Sequence, residues 1–174
     1  MNTSSNNIFL IGLMGAGKST VGKLLAKKLG RRFLDADHVI EERCGVKIPV
    51  IFEMEGEDGF RKREAQAIKD ITAEHELILA TGGGAVLLPE NRQFLSKRGT
   101  VIYLHANPIE LWHRTKGGEG RPLLKNGDAK KILENLYAIR DPLYREIADY
   151  VIETGKPSVN QLVNTLIMQL ELSA

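Results

Sequence analysis

Short apolar runs alternate along this chain with segments whose apolar residues recur at helical spacing. The runs occupy residues 8–11, 33–34, 77–80, 101–104 and 150–152. Alternation of this kind is typical of an α/β protein in which helices cover both faces of a parallel sheet. The pattern therefore predicts a three-layer α/β/α domain with about five parallel strands.

Two of the predicted helices have clear start signals. Asn107 precedes Pro108, which combines an N-cap residue with a proline in the first helical turn. Ser158 and Gln161 have the spacing of a capping box ahead of the last apolar helical stripe. We expect both helices to serve as scaffold.

Two segments interrupt the strand-helix rhythm. The first, about residues 37–63, combines helical pieces with proline, glycine and dense charge, and is predicted to be an insert over the strand ends. The second, about residues 116–127, places four glycines around Arg121, a composition typical of a mobile lid. Because the chain is long enough for one buried core and too short for two ordinary domains, we expect residues 1–174 to form a single domain.

The strongest local motif follows the first apolar run. Residues 12–19 read GLMGAGKS, the pattern of a phosphate-binding loop, and a strand before and a helix after them are predicted. Glycines at these positions let backbone N–H groups turn toward a polyphosphate, and the helix N-terminus adds its positive dipole end. We expect Lys18 to reach the outer phosphates and the Ser19 hydroxyl to serve Mg²⁺.

Composition narrows the possible partners. The net charge is only +2, so the chain has neither the basic excess of a nucleic-acid binder nor an acidic tail. Cys44 is the single cysteine, which excludes an internal disulfide and is interpreted as a packing residue. Residues 1–7 lack the apolar centre of a signal peptide, and no apolar run approaches membrane-spanning length. We therefore expect a cytoplasmic protein with neither a nucleic-acid nor a membrane partner.

Two aspartates are the candidates for binding the metal and the hydroxyl that accepts the phosphate. Phosphate-loop enzymes need a carboxylate near the metal, and Asp35 and Asp37 directly follow the apolar run 33–34. On an extended segment, side chains two residues apart share a face, so one can serve the metal and the other a substrate hydroxyl. Alternatively, one of them only caps a helix that begins near Val39.

A glycine triplet ends the run at residues 77–80. Gly82, Gly83 and Gly84 leave bare backbone that a small anionic ligand can approach closely, although a tight turn without a ligand is an equal alternative. A switch-type GTPase would need D-x-x-G after a strand and N-K-x-D for guanine, and neither pattern occurs. That class of protein is excluded.

Taken together, these segments resemble the shikimate kinase family. The phosphate loop is shared with many unrelated proteins, but the combination is specific, occurs in the family's order and covers nearly the whole chain. The segments that carry the resemblance are GAGKST at 15–20, DAD at 35–37, Ile51-Phe52 with Gly56-Glu57 and Gly59-Phe60-Arg61, the glycines at 82–84, RPLL at 121–124 and RDPLY at 140–144.

The resemblance implies a nucleoside-monophosphate-kinase-like fold and assigns roles to single residues. It makes Asp37 the partner of the shikimate ring hydroxyls and Asp35 an outer-shell ligand of Mg²⁺. Arg61, Arg140 and the backbone at Gly83 would hold the substrate carboxylate, which suits the bidentate geometry of guanidinium groups. The predicted catalytic residues are Lys18, Asp37 and Arg121; the ATP-binding residues are Gly15, Ala16, Gly17, Lys18, Ser19, Thr20 and Arg121; the substrate-binding residues are Asp37, Arg61, Gly82, Gly83 and Arg140; and the metal residues are Ser19 and Asp35.

The function that the resemblance implies is transfer of the ATP γ-phosphate to the 3-hydroxyl of shikimate, in aromatic amino-acid biosynthesis, by a monomer. Two alternatives stay open: a kinase for another small acid such as gluconate, and a nucleotide-binding module without activity. The sequence leaves open whether Asp37 is a base or only orients the hydroxyl. It also does not choose the adenine contact, for which residues 155–158, Arg114 and Lys116 are candidates.

Overall fold

A five-stranded parallel sheet forms the centre of the molecule. The structure is a computed structural model that describes residues 6–114 and 128–173. The strands lie in the order β2-β3-β1-β4-β5, and every neighbouring pair is parallel. Their bounds are β1 Ile8–Ile11, β2 Arg32–Asp35, β3 Leu77–Ala80, β4 Thr100–His105 and β5 Tyr150–Glu153. The predicted parallel sheet is confirmed.

Helices pack around this sheet in two groups. Helix α1 packs against α7, and α4 packs against both α3 and α6. The result is the predicted three-layer α/β/α arrangement. The helices are α1 Lys18–Leu29, α2 Ala36–Cys44, α3 Ile48–Thr72, α4 Pro89–Arg98, α5 Pro108–Arg114, α6 Ala129–Ile147 and α7 Val159–Leu172, with a short 3₁₀ turn at Ala85–Leu87.

The topology brings the functional segments together. Strands β1 and β3 are buried along their whole length, as a strand covered by helices on both faces should be. Strand β1 is central, with β3 on one side and β4 on the other. The chain therefore leaves β1 at the point where the strand order reverses, the usual ligand-binding place of an open parallel sheet.

The segment predicted to lie over the strand ends consists of α2 and the first half of α3. Helix α3 is kinked at Gly56, whose φ of 72° and ψ of 179° are outside the helical range. An ion pair of 2.7 Å joins Glu55 to Arg63 across the kink. The helical pieces were foreseen, and the kink lies at one of the glycines of this segment because φ above zero is open to glycine at little cost.

Local start signals were reliable at two helices and wrong at a third. The Asn107 side chain accepts from the Glu110 N–H at 2.9 Å, and Ser158 and Gln161 form the complete capping box. Helix α2, in contrast, begins at Ala36 and not near Val39. Among the described helices, none is both long and apolar enough to cross a membrane.

Candidate active site

The loop between β1 and α1 has the backbone that a phosphate cradle needs. Gly12, Gly15 and Gly17 all have positive φ, at 148°, 85° and 93°. A side chain at Gly12 would also lie 2.6 Å from the Leu104 carbonyl oxygen. Because L-residues rarely adopt such angles, glycine at these positions lets the loop curl around a ligand in front of the first turn of α1.

Lys18 folds back over this loop. Its ammonium group donates to the carbonyl oxygens of Gly12 at 2.7 Å and Leu13 at 2.9 Å. These backbone acceptors hold a full positive charge at the mouth of the glycine loop. The predicted phosphate-contacting lysine is therefore already positioned beside the space where an anion would bind.

Asp35 connects the loop to the neighbouring strand. Its Oδ2 accepts from the Ser19 hydroxyl at 2.5 Å, and its Oδ1 accepts from the N–H groups of Asp37 at 2.9 Å and His38 at 3.3 Å. Asp35 is therefore both the N-cap of α2 and the partner of Ser19. The extended geometry predicted for residues 35–37 is wrong: once Asp35 caps the helix, Asp37 lies in its first turn.

Asp37 is the most perturbed carboxyl of the site. Burial, together with the nearby carboxylates of Glu64 and Asp35, raises its pKa from 3.8 to about 7, although Lys18 acts in the opposite direction. Its Oδ1 is buried and accepts no hydrogen bond from the described residues. A carboxyl that lines the cavity and has a pKa near neutrality is suited to receive a proton or to orient a hydroxyl.

Glu64 is the second buried carboxyl of the site, and it was not among the residues predicted from the sequence. Its side chain is 0% exposed, and burial raises its pKa in spite of the two nearby arginines. Oε1 accepts from Arg61 Nη1 at 2.9 Å, whereas Oε2 has no hydrogen-bond donor among the described residues. The signal available in the sequence was its position three residues after Arg61 in a helical segment, where two side chains meet.

The glycine triplet lets these acidic and basic groups lie close together because it carries no side chains. A Cβ at Gly82 would lie 2.8 Å from Asp37 Oδ1 and 2.9 Å from Glu64 Oε2. A Cβ at Gly84 would overlap the Arg61 guanidinium. Any larger residue would push the acidic and basic groups apart, so the triplet is more than a tight turn.

Arg140 lies on the far side of the triplet, on α6. It is only 3% exposed, and burial lowers its pKa. A Cβ at Gly83 would lie 3.3 Å from its Nη1. The buried Tyr144 donates from its hydroxyl to the Gly83 carbonyl oxygen at 2.5 Å. In the sequence, Tyr144 is part of the RDPLY motif, from which no role could be predicted for it.

One cavity of about 550 Å³ joins the phosphate loop to Asp37 and the glycine triplet. Arg61 and Arg140 flank the glycine triplet but are not among the residues that line the cavity. Ala16, within the phosphate loop, is buried. The cavity is lined by Met14, Gly15, Gly17, Lys18, Ser19, Thr20, Asp35, Asp37, Thr81, Gly82, Gly83 and Arg114.

Among the candidate adenine contacts, the structure describes residues 155–158 and Arg114, and Arg114 lines the cavity. It donates to the Gly15 carbonyl at 3.2 Å and to the Thr154 carbonyl at 3.2 Å, so it links the phosphate loop to the segment after β5. This keeps Arg114 at the rim of the cavity. Lys116, Arg121 and the predicted lid, about residues 116–127, lie outside the described residues.

The chain is similar to shikimate kinases over nearly its whole length. The shikimate kinase family model matches residues 14–171. The shikimate kinase of Ralstonia nicotianae is 61% identical over 170 residues, which cover 98% of this chain and 90% of the relative. The shikimate kinase of Burkholderia lata is 62% identical over 167 residues, covering 96% and 91%.

Solved structures give the same picture. The shikimate kinase from Acinetobacter baumannii, in complex with shikimate, superposes with a TM-score of 0.93 at 49% identity and covers 98% of this chain and 94% of that one. A gluconokinase from Sinorhizobium meliloti superposes with a TM-score of 0.62 at 17% identity, with 98% of each chain covered. The second likeness is one of fold alone.

Proposed function

This chain belongs to the shikimate kinase family, and from that premise we propose that it transfers the γ-phosphate of ATP to the 3-hydroxyl of shikimate. The products are shikimate 3-phosphate and ADP, and the reaction serves aromatic amino-acid biosynthesis. The observation that carries the proposal is the single cavity in which a phosphate loop faces a buried aspartate and a glycine triplet.

The phosphate loop is the ATP end of the cavity. Backbone N–H groups of Gly15 and Gly17 and the N-terminus of α1 favour a polyphosphate, and Thr20 lines the same wall. The N–H of Ala16 donates within the loop to the Leu13 carbonyl oxygen at 3.2 Å. Lys18 exchanges its carbonyl partners for phosphate oxygens when the nucleotide binds. Positioning and neutralisation of charge are the main means by which such sites accelerate phosphoryl transfer.

Asp37 and the two arginines form the acceptor end. The acceptor hydroxyl hydrogen-bonds to Asp37, whose place in the cavity wall and raised pKa suit it to orient the hydroxyl or take its proton. The acceptor carboxylate binds between Arg61, Arg140 and the backbone at Gly82 and Gly83. A guanidinium fork selects a planar carboxylate over a neutral sugar, which gives the site its preference for an acid.

The residues present fit a bound Mg²⁺. The Ser19 hydroxyl and the Asp35 carboxylate are hard oxygen donors that already touch each other at 2.5 Å. No larger group of acidic or imidazole side chains suited to a metal occurs in the parts of the chain that the structure describes. Such a sparse donor set matches an ion that keeps several waters and binds phosphates, with Ser19 as a direct and Asp35 as an outer ligand. When bound, Mg²⁺ neutralises charge on the phosphates.

Arg121 completes the proposal from outside the described residues. We expect it to close over the phosphates once both ligands are bound, as the lid composition of its segment suggests. Hydrogen exchange measured with and without ADP and shikimate tests this closure. Exchange in residues 116–127 that ignores both ligands would reject it.

We also propose that the enzyme works as a monomer in the cytoplasm. Support for the monomer comes from the cavity itself, since the described groups of both its ATP end and its acceptor end come from one chain. The single cysteine, which can form no internal disulfide, agrees with a reducing compartment. Sedimentation at the enzyme's working concentration tests the first statement, and fractionation of cells tests the second.

The deciding experiment is a coupled assay of ADP release on a panel of acceptors. We expect turnover with shikimate, little with gluconate, and little with a shikimate analogue that lacks the carboxylate. Preference for gluconate would replace the proposed substrate. ATP binding without acceptor-dependent turnover on any compound would identify a nucleotide-binding module instead.

A further inference from the structure

Tyr144 is a fully buried tyrosine whose hydroxyl donates a hydrogen bond to the backbone of the glycine triplet. The residue is 1% exposed and lies on α6 one helical turn after Arg140. Its ring packs against Tyr103, with the centroids 4.8 Å apart. Phenylalanine would fill this space equally well, so packing alone does not account for a polar atom at this depth.

The hydroxyl connects the two parts of the carboxylate-binding region. It donates to the Gly83 carbonyl oxygen at 2.5 Å. Burial raises the pKa of this hydroxyl, and the nearby charge of the Arg140 guanidinium, which lies beside Gly83, opposes the rise. A phenol has one donor and two acceptor sites, so it can serve both neighbours at once.

Gly83 is the place where acceptor and nucleotide regions meet. A Cβ there would lie 3.3 Å from Arg140 Nη1, 3.5 Å from the Met14 nitrogen and 3.7 Å from the Gly12 carbonyl oxygen. The Gly83 peptide therefore lies between Arg140 and the phosphate loop. Without a side chain of its own, it depends on neighbouring groups to fix its orientation.

We infer that Tyr144 is a positioning residue for the acceptor carboxylate: its hydroxyl fixes the Gly83 peptide and the Arg140 guanidinium relative to each other. This inference rests on the proposed function. The peptide N–H groups and the guanidinium must both point at one carboxylate, and a single buried hydroxyl that bonds to the Gly83 carbonyl next to the Arg140 guanidinium sets their separation. Loss of the hydroxyl leaves the charge in place and loosens its geometry, which weakens binding of the acceptor more than binding of ATP.

Tyr103 provides a matched control. It is equally buried at 1% exposure, it contacts the same helix, and its hydroxyl donates to Asp141 Oδ1 at 2.8 Å. Tyr103→Phe therefore removes a hydrogen bond from the same buried cluster without touching Gly83. The two variants should lose similar thermal stability and differ in their kinetics.

The experiment measures KM for shikimate, KM for ATP and kcat in wild type, Tyr144→Phe and Tyr103→Phe. We expect Tyr144→Phe to raise KM for shikimate roughly three- to tenfold, as befits one lost hydrogen bond. KM for ATP should stay within about twofold, and preference for shikimate over an analogue without the carboxylate should fall by a similar factor. Tyr103→Phe should leave KM for shikimate, KM for ATP and the preference for shikimate over the analogue near their wild-type values.

Other results overturn the inference. An unchanged KM for shikimate in folded Tyr144→Phe, or an equal rise in Tyr103→Phe, would make Tyr144 a packing residue only. If Tyr144→Phe does not fold, 4-aminophenylalanine at position 144 restores a donor to Gly83, and an acceptor KM well above wild type would then reject the hydrogen bond as the cause. Wild-type enzyme that shows no turnover of shikimate would instead overturn the proposed function, and the inference would fall with it.

Discussion

The Arg61 guanidinium is held by the fully buried carboxylate of Glu64 through a hydrogen bond of 2.9 Å. Arg61 also pairs with Glu57 at 3.1 Å, but the Glu57 side chain is 48% exposed. The same arginine is thus paired with one buried acid and with one acid that is exposed to solvent. Because solvent screens the Arg61–Glu57 pair and not the Arg61–Glu64 pair, loss of the two acids should change the free energy of unfolding by very different amounts.

Replacing Glu64 by alanine should therefore destabilise the protein by about 3 kcal/mol, since it leaves the Arg61 charge buried without its inner partner. Shikimate binding should weaken with it, because the guanidinium loses its fixed position. The matched control is Glu57→Ala, which should change the free energy of unfolding by less than about 1 kcal/mol. Urea unfolding of both variants measures the difference, and equal losses would show that the buried pair has no special role.

Asp37→Asn should stabilise the protein at high pH while it lowers turnover. The pKa of the carboxyl is about 7 in the folded protein and 3.8 without the fold. Between these values the folded state retains a proton that the unfolded chain has released, so stability falls as pH rises through this range and the full cost is present above about pH 7. The amide has no such cost, and we expect a gain of about 4 kcal/mol at pH 8 that vanishes near pH 4.

Urea unfolding of Asp37→Asn and wild type at pH 4, 6 and 8 checks this pH dependence. The same proteins should show a large loss of kcat in the variant, since an amide accepts no proton from the acceptor hydroxyl. A stability difference that is the same at all three pH values would contradict the raised pKa. Loss of ATP affinity with normal acceptor kinetics would mean that Asp35 and Asp37 have exchanged roles.

Lys18→Ala should reduce kcat on the order of a hundred- to a thousandfold, because the ammonium group neutralises charge that develops on the transferred phosphate. The fold should persist, since the partners of Lys18 are carbonyl oxygens at a loop that solvent can reach. Lys23→Ala changes an exposed lysine of the same helix and should have wild-type activity. Near-normal turnover in a folded Lys18→Ala protein would refute the phosphate-loop assignment.

Arg140→Lys keeps the charge on α6 but loses the planar fork, so KM for shikimate should rise roughly ten- to a hundredfold while KM for ATP changes little. Arg145→Lys is the control, because Arg145 lies on the same helix, is exposed and pairs with Asp141. Arg61→Lys should behave as Arg140→Lys does. Equal discrimination between shikimate and an analogue without the carboxylate in all of these proteins would make both arginines structural.

The sequence alone determined the features that depend on residues close together in the chain. Periodicity predicts the order of strands and helices, and a local motif predicts the phosphate loop. Hydrogen bonds between near neighbours account for the helix starts at Asn107 and Ser158. Asp35 and Asp37 could be selected because they directly follow a strand. The extended geometry predicted for residues 35–37 failed because the Asp35 side chain bonds to the N–H groups after it and starts α2.

Tertiary structure decided the electrostatics of the site. Glu64 is an ordinary residue in the sequence and Tyr144 is only part of a motif there, whereas Arg140 was predicted to bind the substrate. The contacts of all three arise because α3, α6 and the glycine triplet meet at one end of the sheet. Burial and neighbours that are distant in the chain set the pKa of Asp37, and no local pattern encodes either. Charges interact strongly only over a few ångströms in a dry environment, so a site's chemistry is defined once folding has fixed those distances.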